Sequence, residues 1–262
     1  MAGKPTVTYL KKRGETAVSE GVKTTMSGDD KLPSKASTGA DVEAFLRKVA
    51  ATPVSTAPGQ RGRLIFALDA TASRQPTWDR AAQIQAEMFL ETASLGGLEM
   101  QLAFYRGFGE FKVSPWLAQS APMLRMMSSV FCLAGETQIR KVLSHAVNET
   151  RNRKVNALVF VGDCVEEDID QLGSVAGELG LLGVPAFMFH EGADPVAEFA
   201  FKQIAKLTNG ACCRFDAGSA HVLKDLLSAV AVYAAGGRKA LDNLARKRGG
   251  EVLKIAHQVR GG

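Results

Sequence analysis

From Leu64 onward the sequence alternates short, mostly apolar runs with longer segments of helical period. The first run is Leu64-Ile65-Phe66-Ala67-Leu68, and further runs lie at 99–105, 155–161, 184–189 and 211–215. A run that is apolar at nearly every position has no face suited to water, so it reads as a strand buried on both sides. The segments between predict helices over 77–94, 120–130, 137–150, 167–182, 195–208 and 219–235. Parallel strands need long crossovers, which these helices supply. The pattern predicts an α/β domain: a mostly parallel sheet with helices on both faces. Phe111-Lys112-Val113, behind the Gly107-Phe108-Gly109 turn, reads as a short edge strand.

The flanks differ from this body. Residues 1–38 are rich in Lys, Gly, Ser and Thr and are expected to be disordered. Residues 41–50 form a short amphipathic helix with Val42, Phe45, Leu46 and Val49 on its apolar face. Thr52 to Arg63, with two prolines and two glycines, reads as a linker. Residues 238–258 predict a basic, weakly amphipathic helix interrupted at Gly249-Gly250. The expected organisation is a tail, helix and linker over 1–60, a folded domain over 61–237, and a basic helix and tail over 238–262.

Charge follows the same division. The chain carries +5, but the body 61–237 is net −3, and the two ends carry the positive excess. A basic balance of this origin, without aromatic interleaving or a nucleic-acid-binding motif, argues against specific nucleic-acid readout. No apolar stretch reaches the roughly 18 residues of a membrane helix. The N-terminus lacks the apolar core of a signal peptide, so a cytoplasmic location is expected. Cys132, Cys164, Cys212 and Cys213 show neither CxxC spacing nor nearby His, which fits free thiols rather than a zinc site.

Chemistry concentrates where strands end. Asp69-Ala70-Thr71-Ala72-Ser73 follows the first apolar run and delivers a carboxylate and two hydroxyls together. These are hard oxygen donors, the type that suits Mg²⁺. Ligands of open α/β sheets bind outside the carboxyl ends of the strands. Two other polar residues occupy comparable places: Thr137, just after Gly135 at a helix start, and Asp163, after Val155–Val161 and Gly162.

The order Asp-x-Thr-x-Ser, Gly-x-Thr, Gly-Asp resembles the von Willebrand factor type A (VWA) family over about 63–235. Val184-Pro185-Ala186-Phe187-Met188 and Ile204-Ala205-Lys206-Leu207-Thr208-Asn209-Gly210 resemble that family's fifth strand and a following helix end. The resemblance implies a doubly wound, Rossmann-like sheet of six strands with one antiparallel edge strand. It also implies a metal-ion-dependent adhesion site holding Mg²⁺ or Mn²⁺. Carried over by position, Asp69, Thr71 and Ser73 would be the first loop's ligands, Thr137 the second's and Asp163 the third's. A partner protein's Asp or Glu would fill the open position. The chain departs from the commonest pattern at Thr71, usually Ser, at Cys164, usually Gly, and at Glu136, usually small.

The expected role is therefore an interaction module, not an enzyme. The alternatives are a metal-free scaffold of the same fold, or a metal-dependent phosphohydrolase or phosphoprotein using Asp69. The second lacks the acid expected two residues on, where Thr71 stands, and no phosphate-cradling GxxxxGK[ST] loop occurs. His145, His190, His221 and His257 assemble no nucleophilic triad by spacing. His145 is expected on a helix surface and His190 at the rim of the functional edge. Arg74 and Arg106 lie near that edge, suited either to a partner carboxylate or to plain surface charge.

Overall fold

The apolar runs do form strands, and strand periodicity divides each run between two cores. The computed structural model describes residues 39–51, 61–216 and 220–248. Helix α1 (Gly39–Ala51) precedes strand β1 (Gly62–Asp69), and α2 (Gln75–Thr92) leads to β2 (Leu98–Arg106) and β3 (Glu110–Val113). Helices α3 (Ser120–Ser128) and α4 (Ile139–Asn152) come before β4 (Ala157–Gly162). Then follow α5 (Ile169–Leu181), β5 (Ala186–Glu191), α6 (Pro195–Leu207), β6 (Ala211–Phe215) and α7 (Ala220–Arg248). The six strands make one sheet in the order β3-β2-β1-β4-β5-β6. Every pairing is parallel except β2 with β3. No helix among the described residues is long and apolar enough to cross a membrane.

Successive side chains of a strand point to opposite faces. Leu64, Phe66 and Leu68 of β1 therefore pack under α1, α2, α3 and α7, while Ile65 and Ala67 pack under α4, α5 and α6. Chain order reverses direction between β1 and β4: the chain runs outward through β2 and β3, then returns to lay β4 on the other side of β1. Such a switch point leaves a crevice beyond the strands' carboxyl ends. Asp69 is the last residue of β1, and Asp163 follows Gly162 at the end of β4.

Several boundaries differ from the sequence reading for identifiable reasons. Strand β1 starts at Gly62, inside the segment read as linker, because its backbone passes under α7. A Cβ on Gly62 would sit 2.2 Å from the Ala234 carbonyl oxygen. Helix α4 starts at Ile139 rather than 137 because its first N–H groups are capped from another loop. Glu167 accepts from Ile139 N and, at 2.9 Å, from Arg140 N. The sequence pattern puts the helix over 41–50 outside the domain, yet Phe45, Leu46 and Val49 are buried in the sheet's core. Phe45 packs against Phe187 and Phe189. The two C-terminal helices follow one another directly as the two arms of α7, broken at Gly237, whose φ of 67° and ψ of −166° are not helical and favour glycine. The tail 1–38, most of the linker (52–60) and the interruption at Gly249-Gly250 lie outside the described residues.

Candidate functional site

Two carboxylates meet at the switch point. Asp69 is 2% exposed, and its Oδ1 accepts the backbone N–H of Thr71 at 2.7 Å. Its Oδ2 is buried without a hydrogen-bond partner, and so is Oδ1 of Asp163. Ligand atoms of Asp69, Asp163 and Cys164 lie within 4.8 Å of one another. Gly162 packs directly beside Asp69: a Cβ there would touch the Asp69 Cβ at 3.6 Å and clash with the Phe160 ring at 2.7 Å.

Burial raises the Asp69 pKa to about 6 from an ordinary 3.8, against the bonds from Thr71, with the Asp163 charge adding to the rise. At neutral pH Asp69 is thus mostly ionised but poorly solvated. Tyr105, from the neighbouring strand, brings its hydroxyl near enough to Asp69 to help hold that charge, although the contact falls short of full hydrogen-bond geometry. Burial, with the Asp69 charge behind it, holds the Tyr105 pKa well above its ordinary value.

Thr71 is buried against Asp69 through its N–H, and its hydroxyl adds to the stabilisation of that carboxylate. Ser73 donates its hydroxyl to Asp163 Oδ2 at 3.1 Å, so the first loop reaches across to β4. Thr137 is buried one loop away and engaged elsewhere. Its oxygen accepts Glu166 N at 3.0 Å, and its N–H donates to Glu166 Oε2 at 2.9 Å. Asp69, Thr71, Ser73 and Asp163 are therefore joined by direct bonds or close approach, while Thr137 is tied to the loop that carries Asp163. Gly135 sets that loop in place, since a Cβ on it would lie 2.1 Å from the Gly107 carbonyl oxygen. Leu133 N then donates to Ala70 O at 3.0 Å, stitching the loop to the first motif. Glu136 is exposed.

The remaining expectations need correction. Arg74 is neither surface charge nor open to a partner: it is 6% exposed. Its Nη2 lies 2.7 Å from Glu191 Oε2, and Nη1 lies 3.4 Å from Asp163 Oδ2. Arg106 pairs with Glu110 at 3.0 Å and donates to the Phe131 carbonyl. His190 is wholly buried on Phe201 instead of lining a rim, because the β5 exit is covered by α6. His145 is half-buried and bonded to Gln101 at 2.7 Å rather than surface-facing. Burial, followed by the Asp163 and Asp69 charges, pushes the Cys164 thiol up to about 12, so without a cation it is protonated near neutrality, and as a soft donor it suits a hard cation poorly. Glu191 escaped notice in the sequence. Its signal was position alone: a carboxylate at the end of an apolar strand on the same sheet edge.

The donor set fits a hard divalent cation. Two carboxylates approach within 4.8 Å, each keeps a buried oxygen without a hydrogen bond, and the hydroxyls of Thr71 and Ser73 stand beside them. The other acids nearby are committed: Glu166 to Thr137, Glu167 to the start of α4, and Asp168 to the first N–H groups of α5.

No family model matches the chain's sequence, and no curated protein sequence does. Solved structures share the fold. The SpRpn10 VWA domain superposes with a TM-score of 0.51 at 14% identity, over 64% of this chain and 94% of that one. The pilus adhesin SpaC from Lactobacillus rhamnosus GG gives 0.54 at 10% identity, over 73% of this chain. Proximal thread matrix protein 1 from the mussel byssus gives 0.51 at 14% identity, over 67% of this chain. The chain spans 32% and 48% of the last two proteins' own lengths. At these identities the likeness is one of fold, and the fold is VWA-like.

Proposed function

We propose that this VWA-like domain is a cytoplasmic protein-interaction module that holds Mg²⁺ or Mn²⁺ and, through it, an Asp or Glu of a partner protein. The observation that carries the reading is a pair of carboxylates at the switch point, Asp69 and Asp163, that approach within 4.8 Å and each keep one buried oxygen, Asp69 Oδ2 and Asp163 Oδ1, without a hydrogen-bond partner. Asp69 and Asp163 would supply the charge, and Thr71 and Ser73 neutral oxygens. Thr137 accepts only one hydrogen bond from Glu166, so a second lone pair remains on its oxygen. When bound, the ion would supply an electrophilic position for an incoming carboxylate.

A binding role, not catalysis, suits these groups. No second acid stands two residues beyond Asp69, and its carboxylate is hydrogen-bonded into its own loop. A protein named as an adhesin carries the same fold, which fits a role built on contact.

Calorimetry with Mg²⁺ and Mn²⁺ on the full chain and on Asp69→Ala tests the reading. Binding heat in the wild type that is lost in the variant is the expected result. A silent wild type would sink the cation site, and retained binding in the variant would sink its assignment to Asp69. A pull-down with and without chelator then separates a metal-bridged partner from a metal-free scaffold. That second reading is favoured by one contact, the Arg74 guanidinium already beside Asp163.

A further inference from the structure

Arginine is almost never buried unless it is paired, and the pairing of Arg74 is uneven. Its Nη2 is held by Glu191 Oε2 at 2.7 Å and Thr77 Oγ1 at 3.2 Å, whereas Nη1 reaches Asp163 Oδ2 at 3.4 Å. Thr77 also donates to Glu191, fixing that carboxylate as the main anchor. Glu191 ends β5 and Asp163 follows β4, so one planar cation spans two neighbouring strand exits. On Asp163 the two oxygens are used differently. Oδ2 takes Ser73 and Arg74, and Oδ1 takes nothing.

We propose that Arg74 is an internal counter-ion for the cation site: it neutralises Asp163 when no divalent cation is present and withdraws to Glu191 when one binds. The inference rests on the reading of Asp69 and Asp163 as that site, and it names the residue that sets its affinity. A cation taken by Asp163 Oδ1 would share that carboxylate with the guanidinium on Oδ2. Like charges so close in a poorly solvated crevice repel strongly. Arg74 need not leave the protein interior to relieve this, because Glu191 and Thr77 already hold its other nitrogen. Asp163 gives up the longer contact, and Glu191 keeps the shorter one. Arg74 thus competes with the cation, and Glu191 decides how readily it yields.

Mn²⁺ calorimetry on the full chain, comparing wild type, Arg74→Gln, Glu191→Gln and the double variant at pH 7.5, tests this. Arg74→Gln is expected to bind about tenfold more tightly or better, and Glu191→Gln about tenfold more weakly, since a guanidinium without Glu191 turns wholly to Asp163. The double variant should match Arg74→Gln, because Glu191 acts only through Arg74. Loss of packing alone would weaken binding in both single variants. Should Arg74→Gln fail to fold by circular dichroism, Arg74→Lys takes its place: a single ammonium settles on the nearer Glu191, and affinity should again rise. Affinities that are equal, or that move together, would overturn the counter-ion role and leave the cation site standing. Equal weakening by Glu191→Gln in both backgrounds would also overturn it, since Glu191 would then act directly on the ion. No Mn²⁺ heat in any variant, Arg74→Gln included, would overturn both.

Discussion

Replacing Asp69 by Asn should stabilise the metal-free protein, although it removes a residue of the proposed site. The folded-state pKa of Asp69 is about 6, against an ordinary 3.8. A rise of about two units corresponds to about 3 kcal/mol of preference for the neutral carboxyl in the fold. The sign follows directly. Below about pH 4 both folded and unfolded chains hold the proton, and Asp69 costs nothing. As the pH rises from about 4 to about 6 the unfolded chain releases the proton first, and the fold loses stability. Above about pH 6 the loss is constant. The asparagine side chain mimics the neutral group, keeps an oxygen for Thr71 N, and never ionises. The difference between variant and wild type should therefore be near zero at pH 4 and reach about 3 kcal/mol by pH 7. In urea this is a midpoint shift of about 1 M or more, given typical denaturant slopes of about 1–3 kcal/mol/M. The assay is urea unfolding followed by circular dichroism from pH 4 to 8, in chelator. With excess Mg²⁺ the advantage should shrink, since a ligand at about 100 times its Kd adds about 2.7 kcal/mol to the wild type alone. A variant less stable than wild type at pH 7 in chelator, or an offset independent of pH, would refute the account of a desolvated, half-partnered carboxylate.

Other consequences can be checked alongside. Phe45→Ala should cost about 3–5 kcal/mol in urea unfolding, because α1 is part of the sheet's core; a neutral result would place α1 outside the cooperative unit. Gly135→Ala should destabilise by about 1–3 kcal/mol and weaken Mn²⁺ binding, since its Cβ would strike the Gly107 carbonyl and displace the loop carrying Thr137. Cys164→Ala should leave Mn²⁺ affinity unchanged at pH 7.5, since a soft thiol adds little to a hard-oxygen site; a marked loss in calorimetry would make Cys164 a ligand. Arg63→Met should cost about 2–4 kcal/mol, since the buried guanidinium lies 3.7 Å over Trp116 and 3.2 Å from Glu149, which would be left without it.

The sheet was legible because parallel strands buried on both faces are apolar at nearly every position, and runs this short, spaced by helical segments, suit strands better than helices. Leu64–Leu68 carries this signal at every position and Val155–Val161 at all but Asn156. The motif residues were legible for a related reason: a polar residue directly after such a strand has only the sheet's edge to occupy. Element ends were less so. The start of α4 depends on Glu167, 28 residues away from Ile139, and a cap supplied from another loop leaves no local trace. The burial of α1 was equally hidden, since its apolar stripe suits any apolar surface, and only the exposed face of β5 and β6 decides which one covers it.

The sequence by itself determined the α/β class, the strand exits on which Asp69 and Asp163 sit, and the hydroxyls that accompany them. These are properties of local pattern and chain order. Only the tertiary structure decided how the charges at that edge are shared. Thr137 is bound to Glu166, Cys164 is held protonated, and Arg74 is drawn inward between Asp163 and Glu191. Arg74 and Glu191 are 117 residues apart in the chain. Whether a charge is solvated, paired or left wanting depends on what folding brings within a few ångströms of it, and that distance is not written in the spacing of residues.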